Sequence, residues 1–338
     1  MLISDTHSNK FPTYEDREIS PDITVYETAT QFATSTTQPI NRPIDEVAFM
    51  VEFKHDHADD PFRDHISGFE NNTDRSEKTL GQICAYATAH MAAQFRTHVF
   101  SILVFPKYAR ILRWDRAGVI VTGKIDLVEN GSVLAEFLWR YQNATLTKRG
   151  YDDNVTPVAL ETVVEKVPDA VEKLGATKDS SFYSVQFPNS QEYIISKAVY
   201  MGVGSPTGRS TRTFKALSLT TKEVVFLKDT WRVIHPGILP EHEIYAMLDS
   251  QGIPHVATLI TSHDMEEQVT RTKDFARKEW VKFEGPELFR TFQHYRLVLE
   301  EVARPLQSFR NVRELIQVFR DALHGMFFFR LVWSVADE

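Results

Sequence analysis

The sequence has a single cysteine, Cys84, among its 338 residues. One cysteine excludes an intrachain disulfide, a cysteine-rich zinc site and an iron–sulfur cluster, and we expect Cys84 to be a small buried apolar residue. Long apolar runs are missing too, since none approaches the roughly 20 residues of a membrane-spanning helix. The opening MLISDTHSNK lacks the basic and apolar regions of a secretory signal. We therefore expect an intracellular protein, cytoplasmic or nuclear, with no membrane partner.

An excess of positive charge is also missing. Lysine and arginine number 38 against 46 acidic residues, which gives a net charge of −8. This balance argues against a general nucleic-acid coat, so nucleic acid is an unfavoured partner, although one local basic groove is compatible with it. Hydrophobic residues at 42% and charged residues at 25% are typical of globular proteins. The length suggests about two domains.

Residues 1–160 predict an α/β domain. Residues 1–20 are polar and irregular, and the β-branched and aromatic residues that follow predict strands at 23–27, 46–54, 98–106, 109–115 and 119–123. The alanine-rich stretch 79–95 predicts a helix that begins at Thr79, and 134–144 predicts a second helix. Residues 161–190 combine a charged helix with the serine-rich KDSSFYS and predict a linker.

The chain beyond residue 190 has a different, strand-dominated pattern. It predicts strands at 192–202, 212–220, 223–231, 256–260 and 296–302, with a charged, mostly helical insert between the last two. Helices are predicted at 240–252, which ends at Gly252, and at 311–325.

One group of polar residues in the first domain has a spacing that suggests chemistry. Pro21-Asp22 begins a predicted strand, and Glu52-Phe53-Lys54 ends the next. Glu52 and Lys54 share a face of their strand, and Gln82 and Tyr86 share a face of the following helix. Carboxylates that converge from neighbouring strands can hold a divalent ion, and a nearby lysine can orient a water or stabilise a pentavalent phosphorus.

This order resembles the PD-(D/E)xK nuclease superfamily, including the Gln-x-x-x-Tyr helix of some of its branches. The resemblance implies a restriction-endonuclease-like fold, with Mg²⁺ at Asp22 and Glu52 and with Lys54, Gln82 and Tyr86 nearby. The alternative is that the fold is a scaffold without nuclease activity. The neighbouring His55, Asp56, His57, Asp59 and Asp60 suit a charged loop better than a metal site.

A second group lies in the strand-dominated part. Gly202, Gly204 and Gly208 fall between its first two strands, Lys228 lies on the third, and Glu243 lies on the following helix, with Glu241 as a rival for its role. Glycine-rich loops let backbone N–H groups approach phosphates, and a buried-facing ammonium needs a carboxylate or phosphate partner.

This succession resembles the amino-terminal lobe of a protein kinase, a five-stranded antiparallel sheet with one helix. The chain is similar to the fungal-type protein kinases over roughly residues 20–323, in stretches that include ARILRWDRAGVIVT, RGYD, GRSTRTFKA, VVFLKDTWR and RLVLEEVARPL. The resemblance implies Ser/Thr phosphorylation with ATP, Mg²⁺ and a protein substrate. Lys228 and Glu243 would hold the phosphates, Gly204, Gly208 and Arg209 would belong to the covering loop, and Leu299 and Glu301 would mark the adenine-binding backbone.

The sequence departs from the kinase pattern after Leu323, because it contains no His-Arg-Asp catalytic loop and no metal-binding Asp-Phe-Gly after the hinge. We therefore predict a nuclease-like α/β domain at 1–160, a linker at 161–190, a kinase-like lobe at 191–305 and a truncated start of the carboxyl-terminal lobe, one helix, at 306–338. We expect this chain to be inactive as a kinase. The alternatives are a pseudokinase-type binding module, a metal-dependent nuclease and an incomplete reading frame.

Overall fold

The structure is a computed structural model that describes residues 1–12, 18–27, 43–64, 69–202, 204–276 and 289–336. The chain forms two compact units, and each is assembled from three segments. The first unit comprises Met1–Asp153, Gly202–Ser210 and Glu267–Gln293, and the second comprises Asn154–Met201, Thr211–Glu266 and His294–Glu338. These boundaries differ from the predicted ones, because the glycine loop joins the first unit and the predicted linker joins the second.

The strands of the described residues are, in chain order, β1 (Leu2–Asp5), β2 (Phe11–Pro12), β3 (Glu18–Ile19), β4 (Ile23–Tyr26), β5 (Val47–Phe53), β6 (His98–Val104), β7 (Tyr108–Asp115), β8 (Gly118–Val121), β9 (Ile125–Asp126), β10 (Val155–Val158), β11 (Phe182–Gln186), β12 (Glu192–Met201), β13 (Arg212–Ser218), β14 (Val224–Val233), β15 (Leu259–Val269) and β16 (Phe292–Leu299). The helices are α1 (Asp74–Ala93), α2 (Gly131–Asn143), α3 (Leu160–Lys166), α4 (Ala170–Leu174), α5 (Glu241–Ser250), α6 (Thr272–Phe275) and α7 (Val312–Ala336). The chain therefore has a mixed α and β fold.

The first unit is built on a sheet with the order β1-β4-β5-β6-β7-β8, with β9 paired to β7. β5 and β6 run parallel, with Met50 opposite Ser101, and the helix α1 connects them. β4 and β7 are antiparallel to their neighbours β5 and β6. Because α1 packs against one face and α2 against the other, all but the last residue of β5 is buried.

The helix α1 begins five residues before the predicted start. Thr73 caps it, since its side chain accepts from the Ser76 N–H and the Ser76 hydroxyl accepts from the Thr73 N–H. Such a reciprocal cap satisfies two N–H groups that the first helical turn leaves free. Thr79 is a buried residue inside the helix rather than its cap.

The amino-terminal residues also contain more regular structure than predicted. β1 pairs with β4 at the edge of the first sheet, with Leu2 opposite Tyr26, and β2 pairs with β3. Burial alternates along this strand, with Ser4 buried and its neighbours Ile3 and Asp5 exposed, which suits an edge strand because one face points to solvent.

The second unit contains a sheet with the order β10-β11-β12-β13-β14-β16-β15. The five predicted strands correspond to β12 to β16, although β15 shares only Leu259 and Ile260 with the predicted strand 256–260. β10 and β11 add two more strands beside β12. β11 and both helices α3 and α4 lie in the predicted linker. Their apolar side chains are buried with Ile194 and Leu217 of the sheet, in a cluster that contains Val163, Val167, Ala170, Leu174 and Phe182. Burial of these residues makes the stretch part of a core.

The first part of the insert that was predicted to be mostly helical, residues 261–269, belongs to the strand β15 instead, and the short α6 follows it. Residues 277–288 of the predicted insert lie outside the described residues. α7 covers residues 312–325 of the predicted helix 311–325 and extends beyond it to Ala336. In the part of the chain that the structure describes, no helix combines the length and the apolar character needed to cross a membrane.

Candidate functional sites

The first group of predicted residues meets at one end of the first sheet. The antiparallel register of β4 and β5 places Ile23 opposite Val51, so Asp22 lies beside the end of β5. The Phe53 N–H donates to the Asp22 carboxylate at 2.7 Å. Glu52 and Lys54 extend from the same face toward α1, where Gln82 and Tyr86 lie one helical turn apart.

A network of hydrogen bonds connects four of these side chains. Lys54 Nζ lies 2.7 Å from Glu52 Oε1 and 2.7 Å from Gln82 Oε1. Gln82 Nε2 donates to Glu52 Oε1 and to the Tyr86 hydroxyl, both at 2.7 Å. Tyr86 donates in turn to the carbonyl oxygen of Ser20 at 2.8 Å. Each group orients the next, which fixes the carboxylate of Glu52 in one position.

Glu52 is an electrostatically costly residue in this position. It is only 4% exposed, and burial raises the pKa of its carboxyl above the ordinary value even though Lys54 opposes the shift. Its second oxygen, Oε2, is buried and has no hydrogen-bond partner among the described residues. A buried carboxylate oxygen without a donor is suited to a cation, and nearby Asp22 supplies a second carboxylate.

The charged loop after Lys54 has a structural role. Arg75 of α1 donates to both carboxylate oxygens of Asp59 and also to Asp56. Asp60 pairs with the fully buried Arg110 at 2.9 Å. These bonds hold the loop against the domain. The His57 Nδ1 also lies 3.3 Å from the Asp56 carboxylate. These ion pairs agree with the interpretation of the segment as a charged loop.

In the second unit, Lys228 forms an ion pair with the helix that follows its strand. Its Nζ lies 2.6 and 2.8 Å from the two carboxylate oxygens of Glu241. Both side chains remain partly accessible, Lys228 at 21% and Glu241 at 26%. The ammonium therefore has a fixed partner and also reaches solvent, where an anionic ligand could bind it.

Glu243 does not pair with Lys228, which corrects the predicted assignment. α5 begins at Glu241, directly after Pro240. Residues two apart on a helix point about 200° apart, so Glu241 and Glu243 cannot both face β14. Glu243 is exposed, and its backbone N–H bonds to the carbonyl of Pro240.

The end of β16 contains the other predicted residues of the second unit. Leu299 is the last residue of the strand and is buried, while the Glu300 N–H donates to the Thr258 carbonyl at 3.0 Å. The Glu301 carboxylate accepts from the Thr258 N–H and hydroxyl at 2.7 and 2.8 Å. Partial burial acts to raise the pKa of Glu301, but the hydrogen bonds from Thr258 outweigh it and leave the pKa lowered. Glu301 thus fixes the chain where it leaves the sheet.

The glycine loop belongs to a different compact unit from Lys228, whereas the prediction placed both in one kinase-like lobe. Gly204, Gly208 and Arg209 belong to the first compact unit. Gly208 adopts φ +97° and donates its N–H to the Arg116 carbonyl at 2.8 Å. The Arg116 guanidinium in turn donates to the Pro206 carbonyl. The amide of Gly208 is therefore already used within the first unit.

Residues 113–116, Arg-Trp-Asp-Arg, belong to one of the stretches that resemble the fungal-type protein kinases, and they bind three other segments of the first unit. Trp114 donates its indole N–H to Ser101 at 2.9 Å. The buried Asp115 accepts from the Arg113 guanidinium and from the Thr272 N–H and hydroxyl. The Arg116 guanidinium donates to the Pro206 carbonyl of the glycine loop. The sequence does not show that these charged residues are buried, because burial of a charged residue depends on its pairing partner and most charged residues are exposed.

A family model described as "Fungal protein kinase" matches residues 45–331. The chain belongs to this family. No curated protein and no solved structure matches it. The fungal protein kinase match covers residues of both compact units, so Glu52, Lys54, Gln82 and Tyr86 lie within it as well as Lys228 and Glu241. Asp22 precedes the matched residues.

Proposed function

We propose that the second unit of this fungal protein kinase family member binds ATP with Mg²⁺, and that Lys228 is the phosphate ligand. The observation that carries the proposal is the ion pair of Lys228 with both oxygens of Glu241. An ammonium group has three N–H donors, and Glu241 occupies two of them. The remaining donor and the accessible part of the side chain are available to a phosphate oxygen.

The role of Glu241 is to position Lys228. A lysine side chain has several rotatable bonds, so an unpaired ammonium samples many positions. The pair selects one of them before the nucleotide arrives and lowers the entropy cost of binding. In protein kinases a strand lysine and a helix glutamate act in this way on the α- and β-phosphates.

We assign the adenine end to the backbone at Leu299–Glu301. The hydrogen bonds of Glu300 and Glu301 to Thr258 hold this segment in place. Because the Gly208 amide already bonds to Arg116, we do not include it among the phosphate ligands. Gly204 and Arg209 stay predictions from the family resemblance.

Thermal unfolding of the full chain with MgATP tests the proposal. We expect the melting temperature of the wild type to rise with nucleotide concentration, because a ligand that binds only the folded state stabilises it. Lys228→Ala should remove most of this increase. Lys178→Ala is the matched control, since Lys178 is an exposed loop residue of the same unit. The proposal fails when the wild type does not respond or when Lys228→Ala responds equally.

We propose further that these 338 residues bind nucleotide without transferring phosphate, as a pseudokinase-type module. They contain no His-Arg-Asp sequence, whose aspartate accepts the proton of the substrate hydroxyl. Transfer of labelled phosphate to a generic protein substrate should stay at background in the wild type and in Lys228→Ala. Transfer that depends on Lys228 would contradict this part of the proposal and leave the binding site intact.

A second candidate function, metal-dependent cleavage of nucleic acid, is favoured by the arrangement of Asp22, Glu52 and Lys54. The unpartnered Oε2 of Glu52 suits a divalent cation such as Mg²⁺. When bound, such a cation would polarise a phosphodiester and lower the pKa of a coordinated water. Lys54, held by Glu52 and Gln82, would orient the attacking water or bind the phosphate oxygens.

Cleavage of a supercoiled plasmid with Mg²⁺ or Mn²⁺ tests this second function. Wild-type protein should nick the plasmid, and Glu52→Ala should not. Glu77→Ala is a matched control, because Glu77 is an exposed carboxylate on α1. Identical traces for wild type and Glu52→Ala would exclude the activity.

A further inference from the structure

The first unit contains a cavity that neither proposed function uses. Its volume is about 570 Å³, and it lies between α1 and the loop Gly204–Thr207. Cavities of roughly 300–1,000 Å³ are typical of small-molecule sites. Most of the described lining residues are apolar or aromatic. They include residues of α1, β7 and β8 together with Phe62 and Phe289.

Small side chains on α1 leave this space open. The helix contributes Gly81, Ala85 and Ala89 to the lining, at helical spacing on one face. A Cβ added at Gly81 would meet no atom within 4 Å. The opposite wall is fixed, because Arg116 bonds to Pro206 and Gly208 of the loop and also to the Met91 carbonyl at the end of α1. The cavity is therefore preformed rather than created by a loose loop.

The walls combine aromatic rings with one charge. Phe62 and Phe69 stack with their ring centroids 5.1 Å apart, and Trp114 is also part of the lining. Among the described lining residues, Glu70 is the one charged side chain. Its carboxylate makes no ion pair with another described residue. Aromatic faces and a carboxylate both attract a cation that carries an apolar body.

The geometry points to a binding site for an apolar small molecule with one positive charge, an aromatic or hydrophobic amine whose ammonium group faces Glu70. Cys84, the single cysteine, also lines the cavity. Burial, and secondarily the charge of Glu70, raise the pKa of its thiol to about 11. This raised pKa makes alkylation at neutral pH slow. Because Cys84 is part of the cavity wall, a bound ligand covers it and should slow alkylation of the one cysteine in the chain further, so the alkylation rate reports occupancy.

Binding of three naphthalene probes to the full chain at neutral pH tests the inference. The probes are naphthylmethylamine, which is cationic, naphthylmethanol, which is neutral, and naphthoate, which is anionic. We expect saturable binding of the amine, with an affinity about fivefold above that of the alcohol, as for a partly exposed charge pair. Naphthoate should bind most weakly. The amine should also slow alkylation of Cys84 by N-ethylmaleimide, measured as a single mass increment.

Substitutions at two positions test the charge of Glu70 and the open space of the cavity separately. Glu70→Gln should bring the amine and the alcohol to within about twofold of each other. Gly81→Leu should fill the space and weaken the amine by at least about tenfold, while Gly81→Ala retains it. Both glycine substitutions favour the helix, so loss of binding in Gly81→Leu does not reflect unfolding. The inference is overturned when no probe binds saturably, when amine and alcohol bind equally, or when Gly81→Leu leaves binding unchanged.

Discussion

Lys228 and Glu241 form a two-point ion pair, whereas Glu243 points away from the lysine. Nζ of Lys228 lies 2.6 and 2.8 Å from the two carboxylate oxygens of Glu241. The start of α5 at Glu241 determines this choice, because it sets which residue faces the strand. The position of the Lys228 ammonium therefore depends on the first residue of a helix.

The two glutamates should differ in their effect on nucleotide binding. Glu241→Gln removes the charge that holds Lys228, so we expect the affinity for MgATP to fall roughly tenfold, about 1.4 kcal/mol. Glu243→Gln changes an exposed carboxylate and should leave the affinity within about twofold. Titration calorimetry of both variants measures this difference. Equal losses would contradict the assignment of Glu241.

Removal of Lys54 should destabilise the first unit in a pH-dependent way. Lys54 opposes the burial that raises the pKa of Glu52, so Lys54→Met should raise that pKa further. When the pKa of a carboxyl is higher in the folded than in the unfolded state, the folded protein loses stability as the pH rises from the unfolded pKa to the folded pKa. We expect Lys54→Met to cost about 3 kcal/mol at neutral pH and less near pH 4.5.

Chemical denaturation at both pH values measures the effect of Lys54→Met. The double variant Glu52→Gln/Lys54→Met serves as its control, since it removes both charges and should recover most of the neutral-pH loss. A loss that is the same at both pH values would show that Lys54 contributes through packing rather than through charge.

His90 should make the first unit sensitive to acid. Burial, with Arg96 as a smaller cause, lowers the pKa of His90 from 6.5 to about 3, and its Nε2 bonds to the Val47 carbonyl at 2.9 Å. Between these two pKa values the unfolded chain binds a proton that the folded chain does not. Stability should therefore decrease as the pH falls, by about 1.4 kcal/mol per pH unit for this residue.

Urea denaturation across that range measures the slope. His90→Gln keeps a donor near Val47 but does not titrate. The slope of its unfolding free energy against pH should therefore be smaller than the wild-type slope by the contribution of one proton. Parallel curves for the two proteins would show that His90 is not buried as the structure has it.

Gly150 should be intolerant of any side chain. Its φ is +98°, and a Cβ at this position would overlap the carbonyl oxygen of His98. We expect Gly150→Ala to destabilise the first unit by about 2 kcal/mol or more. Gly131→Ala is the matched control, because Gly131 has open space around it and begins α2, and it should be neutral or slightly stabilising. Thermal unfolding compares the two variants.

Several features of the first unit could be predicted from residue order alone. The strand that begins after Asp22, the strand that contains Glu52 and the helix with Gln82 and Tyr86 all form, and these residues lie together. The reason is local: side chains alternate along a strand and recur each turn along a helix, so spacing fixes the shared faces. The register between β4 and β5, which brings Asp22 to the end of β5, is a tertiary feature.

Features that depend on contacts between residues far apart in the sequence could not be predicted from residue order. The stretch 161–190 has polar and serine-rich segments typical of a linker, yet Phe182 and Leu174 are buried with Ile194 and Leu217. The glycine loop has the composition of a phosphate-binding turn, yet Gly208 bonds to Arg116 more than ninety residues earlier in the chain. In both cases the partner is distant in the sequence, and composition carries no information about it.

The sequence by itself determined the kinds of elements, the residues that could carry chemistry and the resemblance to the fungal protein kinases, because these follow from local periodicity and from conspicuous short motifs. Only the tertiary structure decided the partners of those residues. Glu241 rather than Glu243 pairs with Lys228, Arg116 rather than a ligand holds the Gly208 amide, and burial rather than residue type raises the pKa of Glu52. Pairing and desolvation depend on which atoms are brought within a few ångströms, and that is a property of the folded chain.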